Sequence, residues 1–292
     1  MSITTIENRI NICEKTREGL SKTISSLLSK HDDIAEQEFA TTLSAEIRND
    51  ADLQLEGWYA PPPYGIAALF SDQDNFDRLR FDTLRKEQYW PQQFKLLKNS
   101  AGIIYASPIH KVSGTIGDFG ITIYKGNDRN IQLHLAGCLR ALEQSADLAK
   151  VGMEFRELHD FTQRLFKENG LHNHRTVTWT DTVGTNLGHT VPWSYEEPTA
   201  EEQRIIAGQS LNDLRNLISN KRINVNRNER FKIPANIAFT LEARLERLED
   251  PAMPNTFFHL IITFKNGRKK IVSNFNGVFS VVGMNNYVVS QF

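Results

Sequence analysis

Apolar positions recur at spacings of three and four through residues 5–30, where Ile6, Ile10 and Cys13 are followed by Leu20, Ile24, Leu27 and Leu28. That period predicts an amphipathic helix. After the break at HDD, the stripe Phe39, Leu43, Ile47 predicts a second helix over 34–47. A third is expected over 131–148, from Leu135, Leu139, Leu142 and Ala146, and a fourth over 153–168, from Phe155, Leu158, Phe161, Leu165 and Phe166, with Gly170 as its stop. Between them, three prolines in EGWYAPPPYGIAALF remove backbone donors and predict an extended or loop segment, and a short helix is expected around 77–89. Alternation then takes over. Ile103 and Tyr105, then Ile121 and Ile123, predict strands that frame Asp118. Residues 199–223 read as one helix or two. The β-branched and aromatic runs from NIAFTLEARLERL to the C-terminus predict antiparallel strands, separated by turns at Asn266-Gly267 and Asn276-Gly277.

The order helix, helix, strands occurs twice, with IAEQEFATTLSAEI and GMEFRELHDFTQRL in equivalent places, which suggests an internal duplication. The expectation is one α+β domain over 1–292, with related halves at about 1–100 and 101–292 and a site between them. An apolar content of 40% is ample for its core. Lys and Arg number 34 against 35 Asp and Glu, so no net field recruits nucleic acid or an anionic membrane. No apolar run approaches the roughly 20 residues of a membrane span. Cys13 and Cys138 have no neighbouring cysteine and give no disulfide framework. A cytoplasmic protein is expected, and a homodimer stays open.

Candidate chemistry gathers at three β-prone stretches: GDFGITIYKGND (Gly117 to Asp128), GHTVPWSYEEP (Gly188 to Pro198) and FTLEARLE (Phe239 to Glu246). They offer Asp118, Asp128, His189 and Glu242, an oxygen-rich set with one imidazole that suits manganese, iron, cobalt or zinc. Each has a plainer reading. An aspartate in DFG can accept turn hydrogen bonds, His189 can be a satisfied core histidine, and Glu242 can belong to the charge run with Arg244, Glu246 and Arg247. Trp58, Tyr59 and Tyr64 either line a cleft or pack the proline-rich loop, and His110 either meets substrate or packs.

The order of these stretches, DFG with a second aspartate ten residues on, GH with a following EEP, FTLE, then a hairpin with NG, resembles the methionine aminopeptidase, Xaa-Pro dipeptidase and creatinase family. The resemblance covers nearly the whole chain and implies the pita-bread fold, a curved, mainly antiparallel sheet covered by helices. It also implies metal ligands in the order Asp, Asp, His, Glu, Glu. Asp118 and Asp128 match the aspartates, one position closer than usual, His189 the histidine and Glu242 the first glutamate, with Ala243 where the family commonly has proline. The family's second histidine is replaced by Tyr195 or Glu196, and the last glutamate falls on Phe258, with His259 beside it and able to turn inward if the strand bulges.

Two functions follow. One is a hydrolase of a peptide or small amide or other C–N substrate with at most one ion, held by Asp118, Asp128, His189, Glu242 and His259. Here His189 and Glu196 would be catalytic, with Glu196 as proton shuttle, and Tyr64, His110 and Tyr195 would contact substrate. The other is a non-catalytic binding protein of the same fold that has lost the metal centre.

Overall fold

The N-terminal stripe becomes α1 (Ile6–Lys30) in a computed structural model that describes residues 5–173, 186–208 and 210–292. Thr5 caps it, accepting from the Asn8 amide, which satisfies one of the donors a helix start leaves open. After α1 come α2 (Glu36–Arg48), β1 (Leu53–Gln54), β2 (Ile66–Phe70), β3 (Ala101–Ala106), β4 (Ile109–His110) and β5 (Phe119–Tyr124). Helices α3 (Arg129–Leu148) and α4 (Phe155–Glu168) follow, then β6 (His172–Asn173), α5 (Ala200–Gly208) and α6 (Leu211–Lys221). The chain closes with β7 (Ile237–Glu246), β8 (Thr256–Lys265), β9 (Arg268–Val272) and α7 (Asn276–Val281). No described helix is long and apolar enough to cross a membrane.

Seven strands form one sheet in the order β2-β3-β5-β8-β7-β6, with β9 also paired to β8, and every pairing is antiparallel. Both α1 and α3 contact β5, β7 and β8, so the two long helices cover the strands on which the chemistry lies. The mixed α+β architecture, with helices on an antiparallel sheet, agrees with the periodicity.

Two expectations need correction. Residues 77–89 hold two short 3-10 turns, Asp77–Leu79 and Glu87–Tyr89, in place of a helix. The C-terminal run is not a strand: Asn276-Gly277 opens α7, and Phe275, Val278, Phe279 and Val282 are buried at helical spacing, with α7 against α1. The expected hairpin at Asn266-Gly267 does form, with φ of 51° and 79° at its two central residues.

The centre of the sheet is a narrow seam. Strands β5 and β8 pair through Gly120 and His259. Beside them the Thr122 hydroxyl donates to the Phe257 carbonyl at 3.0 Å and accepts from the Phe257 amide at 2.6 Å. Glycine is required at 120, because a Cβ there would lie 2.5 Å from the Phe257 ring. Across β7 and β8 the register is unbroken, Glu242 facing His259 and Ala243 facing Phe258. Since neighbouring strand residues point to opposite faces, Phe258 lies against Phe275 and Phe279 while His259 faces Tyr105. No bulge is needed to bring His259 inward.

Candidate metal centre

Asp118 is fully buried at the start of β5. Its Oδ1 accepts from the Tyr105 hydroxyl at 2.7 Å, and its Oδ2 has no hydrogen-bond partner among the described residues. His189 is placed by its loop lying directly on β7. Its amide donates to Thr240 Oγ1 at 2.9 Å and its carbonyl accepts from the Thr240 amide at 2.8 Å. Gly188 (φ 139°) permits that approach, because a Cβ there would meet the Thr240 carbonyl oxygen at 2.1 Å. His189 Nδ1 lies 3.0 Å from the Thr190 carbonyl, which can only accept, so Nδ1 carries the proton and Nε2 presents a lone pair. Among the described residues neither ring nitrogen of His259, on β8, has a hydrogen-bond partner.

These atoms converge. His189 Nε2 lies 3.5 Å from Asp118 Oδ2, and His259 Nε2 lies 3.8 Å from the same oxygen and 3.4 Å from Glu242 Oε2. Asp118, His189 and His259 each offer a ligand atom within 4.8 Å of the others, and Glu242 joins through His259. The donors of a tetrahedral ion with bonds of about 2.1 Å stand about 3.4 Å apart, so the observed separations suit one divalent ion. The orphaned Asp118 Oδ2 and His259 nitrogens fit it too, since a buried polar atom without a partner is costly unless something binds it. Burial, with Arg222 nearby, lowers the His189 pKa to about 3, and burial lowers that of His259 to about 4. Neutral imidazole is the ligating form.

A cavity of about 520 Å³ opens over this cluster, with Tyr105, His189 and Glu242 among its lining residues. Trp58 and Tyr59 line it as the aromatic reading of that loop expects, whereas Tyr64 does not and instead lies under Arg48. Other predicted positions also lie elsewhere. Asp128 is exposed and caps α3, accepting from the amides of Asn130 and Ile131. Glu196 pairs with Lys221 at 2.7 Å, Tyr195 donates to the Lys221 carbonyl, and His110 bonds Ser113. None of Tyr64, His110, Tyr195 and Glu196 lines the cavity. The lining residues that sequence reasoning missed are chiefly Tyr105, Phe257 and the arginines Arg85, Arg215, Arg222 and Arg244. Tyr105 stood on a recognised strand, but the arginines come from three segments that no local spacing links, Arg85 in a loop, Arg215 and Arg222 on and just after α6, and Arg244 on β7.

No protein-family model matches the sequence, and no curated protein matches it. Solved structures do. The X-Pro aminopeptidase from Thermotoga maritima aligns at a TM-score of 0.58 and 13% identity, covering 93% of this chain and 62% of that one. A prolidase from Pyrococcus furiosus aligns at 0.58 and 14%, covering 93% and 65%. A methionine aminopeptidase from Rickettsia prowazekii aligns at 0.59 and 11%, covering 94% of this chain and all of that one. The chain has the pita-bread fold. It spans less than two thirds of the first two of these proteins. Within the pita-bread fold the seam between β5 and β8 carries Asp118 and His259, and the loop on β7 brings His189 to them.

Proposed function

We propose that the protein is a metal-dependent hydrolase that cleaves a C–N bond in a peptide or small amide, with one divalent ion held by Asp118, His189 and His259. The observation that carries this reading is the convergence of those three buried side chains, two with orphaned ligand atoms, beneath a cavity large enough for a small substrate. Such an ion supplies Lewis acidity, both to a substrate carbonyl and to water. The structural neighbours, an X-Pro aminopeptidase, a prolidase and a methionine aminopeptidase, support a peptide-like substrate.

The chain's own residues have separable tasks. The Thr190 carbonyl holds the His189 tautomer, and the Trp58 ring, 5.4 Å away, holds its plane. Tyr105 occupies Asp118 Oδ1, which leaves Oδ2 to face the imidazoles and supports a single ion. Glu242 is the one carboxylate among the described lining residues, so it takes the proton-holding role that the sequence had offered to Glu196. Aromatic walls from Trp58, Tyr59 and Phe257 limit access of water.

Elemental analysis of protein purified without chelator, followed by assay of small peptides and amides before and after chelation, tests this. One ion per chain and amide cleavage that chelator removes are expected. Protein that neither carries nor takes up zinc, iron or manganese would favour the binding-protein reading.

A further inference from the structure

We infer that the cavity is built for a small substrate bearing at least two oxyanions, carboxylate or phosphate, beside the bond to be cleaved. This rests on the cavity being the substrate site. Its described lining holds the guanidinium groups of Arg85, Arg215, Arg222 and Arg244 against the single carboxylate of Glu242, four positive charges to one negative, with Arg244 paired to Glu242 at 3.8 Å. Counting Asp118 beneath the floor leaves four against two, and a divalent ion would raise the balance again. The whole chain, with 34 basic and 35 acidic residues, has no such excess. A cavity of about 520 Å³ concentrates this charge in a space of roughly dipeptide size.

The guanidinium groups are also oriented. Arg222 stacks on Trp58 at 4.1 Å, Arg85 on Tyr59 at 4.6 Å and Arg244 on Phe257 at 5.0 Å. Each ring itself lines the cavity. Arg85 also donates to the Ala60 carbonyl, and Arg215 donates twice to the Glu56 carbonyl from α6. Stacking fixes the planar forks of Arg85, Arg222 and Arg244, whose geometry matches carboxylate and phosphate, while Arg215, held by the Glu56 carbonyl and Asn212 Oδ1, contributes its charge. These three forks sit on aromatic faces, so the cavity would also accept the apolar or planar body of such a substrate.

The test is equilibrium binding by calorimetry, on protein loaded with zinc and on protein stripped by chelator, with four probes: Asp-Glu, phosphoserine-Glu, Ala-Ala and Lys-Lys dipeptides. We expect at least one acidic probe to bind ten-fold or more tightly than Ala-Ala, Lys-Lys to bind more weakly still, and the preference to shrink as salt is raised. Which acidic probe binds tighter identifies the oxyanion as carboxylate or phosphate. Arg215→Gln and Arg85→Gln should each cut the preference about ten-fold while leaving zinc binding unchanged and the protein folded, as read by circular dichroism, at some cost in melting temperature from the lost carbonyl contacts. Arg215 is only partly buried on α6, which keeps that variant folded. Equal affinity for Ala-Ala and the acidic probes would overturn the inference, as would a preference that survives both substitutions. Because binding is read without turnover and also on stripped protein, failure of the hydrolase reading would leave this result distinguishable.

Discussion

Asp118 is a carboxylate with no exposure, one oxygen satisfied by Tyr105 and the other turned toward two imidazoles. In the interior an acceptor left facing lone pairs is destabilising, and a divalent cation removes that cost. Zinc at about 100 times its dissociation constant should therefore add about 2.7 kcal/mol and raise the melting temperature by on the order of 5 °C. His259→Ala should abolish the shift, as read by thermal denaturation with and without zinc. Because two of the three ligands are imidazoles, zinc or iron(II) should bind more tightly than manganese, which competition dialysis would show. Phe258 tests the register. It is packed among Phe275 and Phe279, so Phe258→Ala should cost about 3–5 kcal/mol and leave zinc binding intact. Phe258→Glu should destabilise at least as much and create no second ion site. The sequence placed the last ligand position between Phe258 and His259, a one-residue ambiguity that in a strand reverses the face. Only the pairing of Glu242 with His259 resolves it.

At the scale of elements, α1 fastens the site from behind. Arg17 is fully buried between the Phe119 and Phe275 rings and donates to the carbonyls of Asp118, His259 and Ser273. One side chain thus ties the helix to both strands that carry the proposed ligands. Arg17→Met keeps apolar bulk but leaves those carbonyls without their donor, and should lower stability by about 3 kcal/mol or more. It should also weaken zinc binding measurably, although it touches no ion. Asp128→Ala should cost about 1 kcal/mol through the lost α3 cap and leave zinc affinity unchanged. The helices α1 to α4 were legible because their apolar stripes are long and regular. The C-terminal segment was not, because Val281, Val282, Val288 and Val289 bias a reader toward strand. Yet Phe275, Val278, Phe279 and Val282 already carried the helical spacing. Asp128 misled for a related reason: an aspartate before a helix is more simply a cap than a ligand.

Across the whole molecule, the sheet joins segments from both ends of the chain, β2, β3 and β5 meeting β8 and β7 at the Gly120–His259 seam. Across residue 100, β2 pairs with β3 along its whole length and α1 packs on β5, β7 and β8, so limited proteolysis should yield no pair of stable fragments split near that residue. The order of ligand motifs was readable from the sequence, and with it the fold, since Asp118, His189 and Glu242 each begin or lie beside a β-prone run. The cavity was not, since Arg85, Arg215, Arg222 and Arg244 meet only after the chain has folded, and a formal net charge of -1 conceals them. The proposed function depends on one metal site made by Asp118, His189 and His259. That site is open to calorimetric titration of chelator-stripped protein with zinc, alongside Asp118→Asn and His259→Ala variants shown by circular dichroism to be folded. One tight site is expected in the parent chain and none in either variant; two tight sites in the parent, or a tight site that survives both substitutions, would rule out this metal centre.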